Sequence, residues 1–231
     1  MHTVTISAII QASPSVKIFQ LVDAQQNFRY LAGQWIDLYV DINGKIEVGG
    51  YSMTSSPTTK NYLELAIKSS IRHPVTRWLH EHAQVGDNVK ISDGQGTFVY
   101  QQTMSRRVVL VGAGVGVTPL ISIFRDIAVT TPDTDATLIY SIPSADEFLF
   151  QTDIEKISQL PNMHHIITLT QADARWQGRT GRIDAALFIE AGMSDDTLYY
   201  LCGPQGMVED VSAVLTSIKV ATDRIIYEKW W

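Results

Sequence analysis

The sequence predicts two domains: an antiparallel β-barrel followed by a doubly wound α/β domain built on a parallel sheet. Two patterns carry this reading. Over the first hundred residues, short alternating or β-branched runs recur between turn residues, as in a small barrel. Beyond Tyr100, unbroken apolar runs alternate with helical stretches, which marks a parallel sheet covered on both faces. The polar stretch 101–106 reads as a linker, so the domains are expected at residues 1–102 and 103–231. A chain of 231 residues suits one or two domains at roughly 150 residues each.

In order, the barrel strands are expected at 4–9, 16–22, 35–40, 62–67 and 88–91. Ser13-Pro14, Ala32-Gly33, Asn43-Gly44, Gly86-Asp87 and Asp93-Gly94 bound them as turns. One helix interrupts them, with Thr76 as its N-cap and residues 77–83 as its body. In the second half, 108–111 is a continuous apolar strand. A helix over 119–128 follows, with Thr118 ahead of Pro119 at the first helical position. Strands at 138–140, 165–169, 198–201 and 225–227 then alternate with helices at 153–160, 183–188 and 206–217.

Composition removes several function classes. An apolar fraction of 45% with 18% charged residues is ordinary for a globular protein and excludes disorder. A net charge of −6 argues against a nucleic-acid or anionic-lipid partner. The lone Cys202 forbids an internal disulfide and a Cys-ligated cluster or zinc site. No run of ~18 apolar residues occurs, so no membrane span is expected. The N-terminus lacks a basic region followed by a long apolar run, and a cytoplasmic location is the expectation. His80 and His82 do not share a helix face, and neighbouring His164 and His165 point to opposite sides of a strand, so no metal site is expected. No Gly-x-Ser-x-Gly elbow is present to supply a hydrolase nucleophile.

Three segments carry chemistry. Gly112-Ala113-Gly114-Val115-Gly116-Val117-Thr118-Pro119 lies between an apolar strand and a helix. Glycines there admit a pyrophosphate close to the backbone, and the helix N-terminus offers free N–H groups. Taken alone, a Gly-rich turn is weak evidence, and a tight strand–helix connection is the lesser alternative. Cys202-Gly203-Pro204-Gln205-Gly206-Met207 ends another parallel strand, at the sheet edge where ligands bind. A thiol beside a helix N-terminus can be polarised, although a buried structural cysteine is the plainer reading. Gly49-Gly50-Tyr51-Ser52-Met53-Thr54-Ser55-Ser56-Pro57 is a hydroxyl-rich strand and turn.

In this order and spacing, the three resemble the ferredoxin–NADP reductase superfamily over nearly the whole chain. Gly33-Gln34-Trp35 is similar to its early Gly-Gln-aromatic strand, and Tyr51-Ser52-x-x-Ser55 to the end of its Arg-x-Tyr-Ser-x-x-Ser flavin motif. Gly114-x-Gly116-x-Thr118-Pro119 and Cys202-Gly203-Pro204-x-x-Met207 resemble its two nucleotide motifs. The Gly-Gly-aromatic-Ser segment and the ending Glu228-Lys229-Trp230-Trp231 more closely resemble the oxidoreductase NAD-binding domain-containing proteins.

The resemblance implies a flavin-dependent NAD(P)H oxidoreductase that uses FAD and NADH or NADPH. It implies that Tyr51 lies against the flavin ring, that Ser52 and Ser55 belong to the flavin motif, and that Ser52 bonds near flavin N5. Thr76 would face the flavin phosphates. Gly112, Gly114, Gly116, Thr118 and Pro119 would hold the nicotinamide pyrophosphate, with Gly203, Pro204 and Met207 as the second nucleotide motif. Cys202 would sit by nicotinamide C4, Glu228 would be the acidic residue of the C-terminal motif, and Trp230 would cover the flavin. With no cluster ligands in the chain, the electron acceptor is expected to be a separate redox protein, a small molecule or free flavin.

Gly49 stands where the motif carries its phosphate-pairing arginine, which favours FAD bound less tightly than in relatives that keep it. Gly49→Arg is expected to tighten binding unless φ there is positive. Arg72 and Arg77 are the candidate substitutes. Thr170-Gln171 after the 165–169 strand lacks the arginine that a 2′-phosphate calls for, which points to NADH, while Arg175, Arg179 and Arg182 lie downstream. The alternative reading is a nucleotide-sensing or partner-binding module that has lost tight flavin binding.

Overall fold

The computed structural model describes residues 1–192 and 194–229. The first domain opens with the hairpin β1 (His2–Ser13) and β2 (Val16–Val22), followed by β3 (Trp35–Ile42) and β4 (Lys45–Ser52). Asn43 and Gly44 connect that second pair with φ of 56° and 83°. Positive φ at both central positions is what a two-residue hairpin turn with the right twist requires. Then come β5 (Leu63–Lys68), α1 (Pro74–Glu81) and β6 (Asn88–Ile91).

The strand order is β4-β3-β6-β1-β2-β5, with every neighbouring pair antiparallel. An isolated bridge between Met53 and Leu65 draws the two edges together into a barrel. Alternation along β3 turns Ile36, Leu38 and Val40 inward, where they pack with Val4, Phe19, Leu65 and Ile91. Helix α1 adds Val75 and Leu79 to the same core.

The helix start corrects one expectation. Pro74 takes the first helical position behind His73, because its missing N–H costs nothing there. Thr76 therefore sits inside the first turn, buried, and does not cap the helix.

The second domain runs β7 (Arg107–Ala113), α2 (Val117–Thr130), β8 (Asp135–Ile142), α3 (Gln151–Ile157), β9 (Met163–Leu169) and β10 (Arg179–Thr180). It ends with α4 (Ala185–Glu190), β11 (Leu198–Cys202), α5 (Gln205–Ser217) and β12 (Ile225–Glu228). All six strands are parallel, in the order β10-β9-β8-β7-β11-β12. The chain enters at β7, winds outward to β10, then crosses back to β11. That reversal places the ends of β7 and β11 side by side at a topological switch point, where open α/β sheets bind ligands.

A second expectation is corrected at α2. A 3₁₀ turn over Gly114–Gly116 precedes it, and the helix begins at Val117. Thr118 lies within the first turn, and its hydroxyl donates to the Val115 carbonyl at 2.9 Å. Pro119 is third in the helix, still among the positions whose N–H has no helical acceptor.

The domains share core. One buried cluster joins Val16, Ala66 and Phe98 of the first to Leu110, Ile123 and Tyr200 of the second. Phe98 and Tyr200 meet edge-on at 5.2 Å, and the Tyr200 hydroxyl donates to the Val99 carbonyl at 2.8 Å.

Candidate active site

A cleft of about 410 Å³ opens between the domains. From the barrel it takes Gly50, Tyr51 and Ser52 at the end of β4 and Ala66, Ile67 and Lys68 at the end of β5. From the α/β domain it takes 113–116, Thr118 and 202–205. The three segments singled out in the sequence thus converge on one space.

The two turns of the α/β domain touch each other. Parallel register pairs Cys202 with Gly112, which brings the following turns together. A Cβ on Gly116 would lie 2.5 Å from both the Cys202 carbonyl oxygen and Gly203 Cα, so only glycine fits. A Cβ on Gly203 or Gly112 would instead meet the mobile ends of the Met207 and Leu120 side chains, which can give way. Gly114 has φ of +53° with open space where a Cβ would be, and its carbonyl accepts from Tyr140 at 3.0 Å. Gly114, Gly116 and Gly203 therefore leave bare backbone facing the cleft. Gly112, Pro119 and Met207 do not line it; Pro119 is buried in α2, and Met207 lies against Gly203.

On the barrel wall, Ser52 is 6% exposed, and its hydroxyl has no protein partner among the described residues. That hydroxyl reaches the cleft, where a ligand can take its hydrogen bond. Tyr51 reaches back over Gly49 and pairs with the Thr76 hydroxyl at 2.9 Å. Burial raises the Tyr51 pKa, against the opposing bond from Thr76, so it stays a neutral phenol.

Cys202 is 1% exposed. Burial, and then the Glu228 carboxylate, push its thiol well above its ordinary value. Desolvation thus outweighs the nearby helix N-terminus, in line with the plainer of the two readings, a buried protonated thiol. Glu228 is its register partner on β12.

One expectation needs correction. Ser55 is not brought to the cleft: its hydroxyl pairs with Tyr30 at 2.7 Å and accepts from the Glu64 N–H at 3.0 Å. Its carbonyl accepts from Ser122 of α2 at 2.7 Å, so it belongs to the contact between domains. Gly49 has no positive φ, and a Cβ there would lie 2.6 Å from the Tyr51 hydroxyl, so an arginine would require the tyrosine ring to shift. Arg175, Arg179 and Arg182 each pair at the surface with a carboxylate, of Asp173, Glu190 and Asp210 respectively. Trp230 and Trp231 lie outside the described residues.

Lys68 and Gln205 of the cleft went unnoticed in the sequence. So did Arg125 of α2, which donates to the Thr54 carbonyl at 2.7 Å and to Glu64 at 2.9 Å, and pairs with Asp153. Burial alone would lower its pKa; the two carboxylates outweigh that and raise it.

The residues present fit a flavin and a nicotinamide nucleotide. The cleft offers an apolar wall, an orphan hydroxyl and glycine turns at two helix N-termini, one cofactor position from each domain.

The fold and site define an oxidoreductase made of a FAD-binding and an NAD-binding domain. Residues 3–100 match the oxidoreductase FAD-binding domain model and 110–213 the oxidoreductase NAD-binding domain model. The chain belongs to the oxidoreductase NAD-binding domain-containing protein family. A member from Danio rerio is 35% identical over 96% of this chain and 89% of its own length. Among solved structures, the flavohem-like FAD/NAD binding domain of nitric oxide dioxygenase from Vibrio cholerae matches with a TM-score of 0.87. It is 26% identical and covers 98% of this chain and 97% of its own. A ferredoxin NADP+ reductase from Neisseria gonorrhoeae with bound FAD and NADP shares the fold, with a TM-score of 0.86 at 19% identity, over 99% and 98% of the two chains.

Proposed function

We propose that the protein is a flavin-dependent NAD(P)H oxidoreductase, with NADH preferred, that passes electrons to a separate acceptor. The observation that carries this is the partnerless Ser52 hydroxyl at the wall where the domains meet. Bound FAD would accept the hydride that NADH delivers and release electrons onward. Everything else is the work of the chain. Ser52 would hold the flavin by a hydrogen bond from its hydroxyl. Tyr51, paired with Thr76, would form its barrel-side wall. Gly114, Gly116 and Gly203 would let the nucleotide approach the backbone, with Thr118 stiffening the turn from within. Cys202, as a neutral thiol, would lie beside the nicotinamide without adding a charge, and Glu228 helps keep it protonated. The shared core would hold the two cofactor positions together.

The NADH preference is supported by Thr170-Gln171 after β9, which lacks the arginine that a 2′-phosphate calls for. Comparing kcat/KM for the two nucleotides tests it; an NADPH preference above tenfold would sink it. The domain limits proposed are 1–102 and 103–231.

One observation favours the second reading, a nucleotide-sensing module without tight flavin. Tyr51 fills the space that an arginine at Gly49 would need. Flavin absorbance near 450 nm in the purified or FAD-titrated protein decides between them. Colourless protein that takes up no FAD would overturn the flavin reading.

A further inference from the structure

The turn between β7 and α2 is held from behind by a side chain of β8. Within residues 112–119, Gly114 alone has a positive φ, +53°. Its carbonyl takes two donors. One is the Val117 N–H, which closes the 3₁₀ turn. The other is the Tyr140 hydroxyl, at 3.0 Å, from the strand next to β7. The following carbonyl, of Val115, accepts from the Thr118 hydroxyl at 2.9 Å. Two successive carbonyls are thus tied back into the protein. A trans peptide points its N–H opposite to its C=O, which turns the Val115 and Gly116 N–H groups toward the cleft that both residues line. Successive N–H groups beside a residue of positive φ make a concavity for an anionic oxygen.

Tyr140 itself does not line the cleft. It is fully buried, and its ring meets Phe148 edge-on at 5.9 Å. Burial pushes its pKa up, so it stays a phenol with a proton to donate. A buried hydroxyl that loses its acceptor is costly, so a turn that moved off would strand it. Hydroxyl and turn therefore hold each other in place before any ligand arrives.

We propose that Tyr140 is a positioning residue for the nucleotide: its hydroxyl fixes the Gly114 carbonyl, so that the Val115 and Gly116 N–H groups already face the site of the diphosphate. This rests on the reading that the cleft takes a nicotinamide nucleotide. The role is preorganisation. Without the hydroxyl, the Gly114–Val115 peptide is freer to rotate, and binding must also order it.

Calorimetric titration with ADP-ribose, which has the diphosphate but no nicotinamide, and separately with FAD, tests this on the wild type, Tyr140→Phe and Tyr100→Phe. Tyr140→Phe removes one oxygen and leaves the ring against Phe148. Tyr100→Phe removes another buried hydroxyl, which donates to the Ser105 carbonyl at 2.7 Å, just ahead of β7 and far along the strand from the turn. Tyr140→Phe is expected to weaken ADP-ribose about fivefold and to leave FAD within about twofold. Tyr100→Phe should lower the unfolding midpoint comparably and leave both ligands within about twofold. Unchanged ADP-ribose affinity in Tyr140→Phe overturns the proposal. So does an equal loss in Tyr100→Phe, which makes the effect one of general stability. A wild type that binds no ADP-ribose refutes the nucleotide reading and the proposal with it. A protein that takes no FAD but loses ADP-ribose affinity in Tyr140→Phe alone refutes the flavin-dependent reading and upholds this one.

Discussion

The two domains meet along two seams built from opposite materials. At one, Ser122, Arg125 and Asp126 lie three and four residues apart on α2 and meet the 54–56 segment of the barrel. Ser122 bonds the Ser55 carbonyl, Asp126 accepts from Ser56 at 2.8 Å, and Arg125 stacks 4.9 Å from the centre of the Phe150 ring while tying Glu64 to Asp153. There the polar groups are paired with one another. At the other seam, glycines, a partnerless serine and a lone lysine face an open cleft. The difference assigns the labour. The first seam fixes how the domains sit; the second is left unsatisfied so that ligands can complete it.

The largest expected effect comes from breaking the paired seam. Arg125→Met leaves the Glu64 carboxylate, whose side chain is 9% exposed, without its counter-charge and with the Thr54 hydroxyl as its remaining partner. Removing one partner of a buried pair costs about 3–5 kcal/mol, which denaturant unfolding would read directly. On the open seam, Gly116→Val should cost less stability, about 1–3 kcal/mol as for overpacking, but reduce NAD+ affinity at least tenfold, because its side chain pushes the two turns apart. Titration of NAD+ at matched folded fraction separates the two losses. Ser52→Ala should leave the unfolding midpoint nearly unchanged while slowing flavin reduction about tenfold. An unchanged reduction rate would make Ser52 an incidental wall residue.

The smallest effect concerns Cys202. Its raised pKa means that native protein at pH 8 should resist iodoacetamide and react only on unfolding. Both states keep the proton well below the thiol's ordinary value of 9.0. Above it the unfolded chain gives up its proton first, so this group's contribution to stability falls as pH rises past about 9. Cys202→Ala should remove that part of the alkaline slope and slow hydride transfer without altering flavin binding. Rapid alkylation of the folded protein would contradict the account.

The open seam was largely legible in the sequence and the paired seam was not. Glycine turns between an apolar strand and a helix are local signals, and the wound order of the α/β domain brings two such turns together. The elements emerged for the same reason, since hydrophobic period and turn residues are read within a few positions. Helix starts were misplaced where two signals competed: Pro74 outranked Thr76, and a 3₁₀ turn carried α2 past the Thr118-Pro119 pair. Arg125 looks like a surface charge in the middle of a helix. Its partners lie on β5 and α3, and only the fold brings them within reach. Ser55 was drawn to the cleft by its motif, whereas its bonds go to Tyr30, Glu64 and Ser122.

Anaerobic stopped-flow mixing of the FAD-loaded protein with NADH tests the central claim most directly, that the cleft brings a nicotinamide and a flavin together for hydride transfer. The account predicts that one equivalent of NADH bleaches the absorbance near 450 nm, at a rate that saturates with NADH concentration and drops in Ser52→Ala. FAD-loaded protein that binds NADH but stays fully oxidised would contradict it.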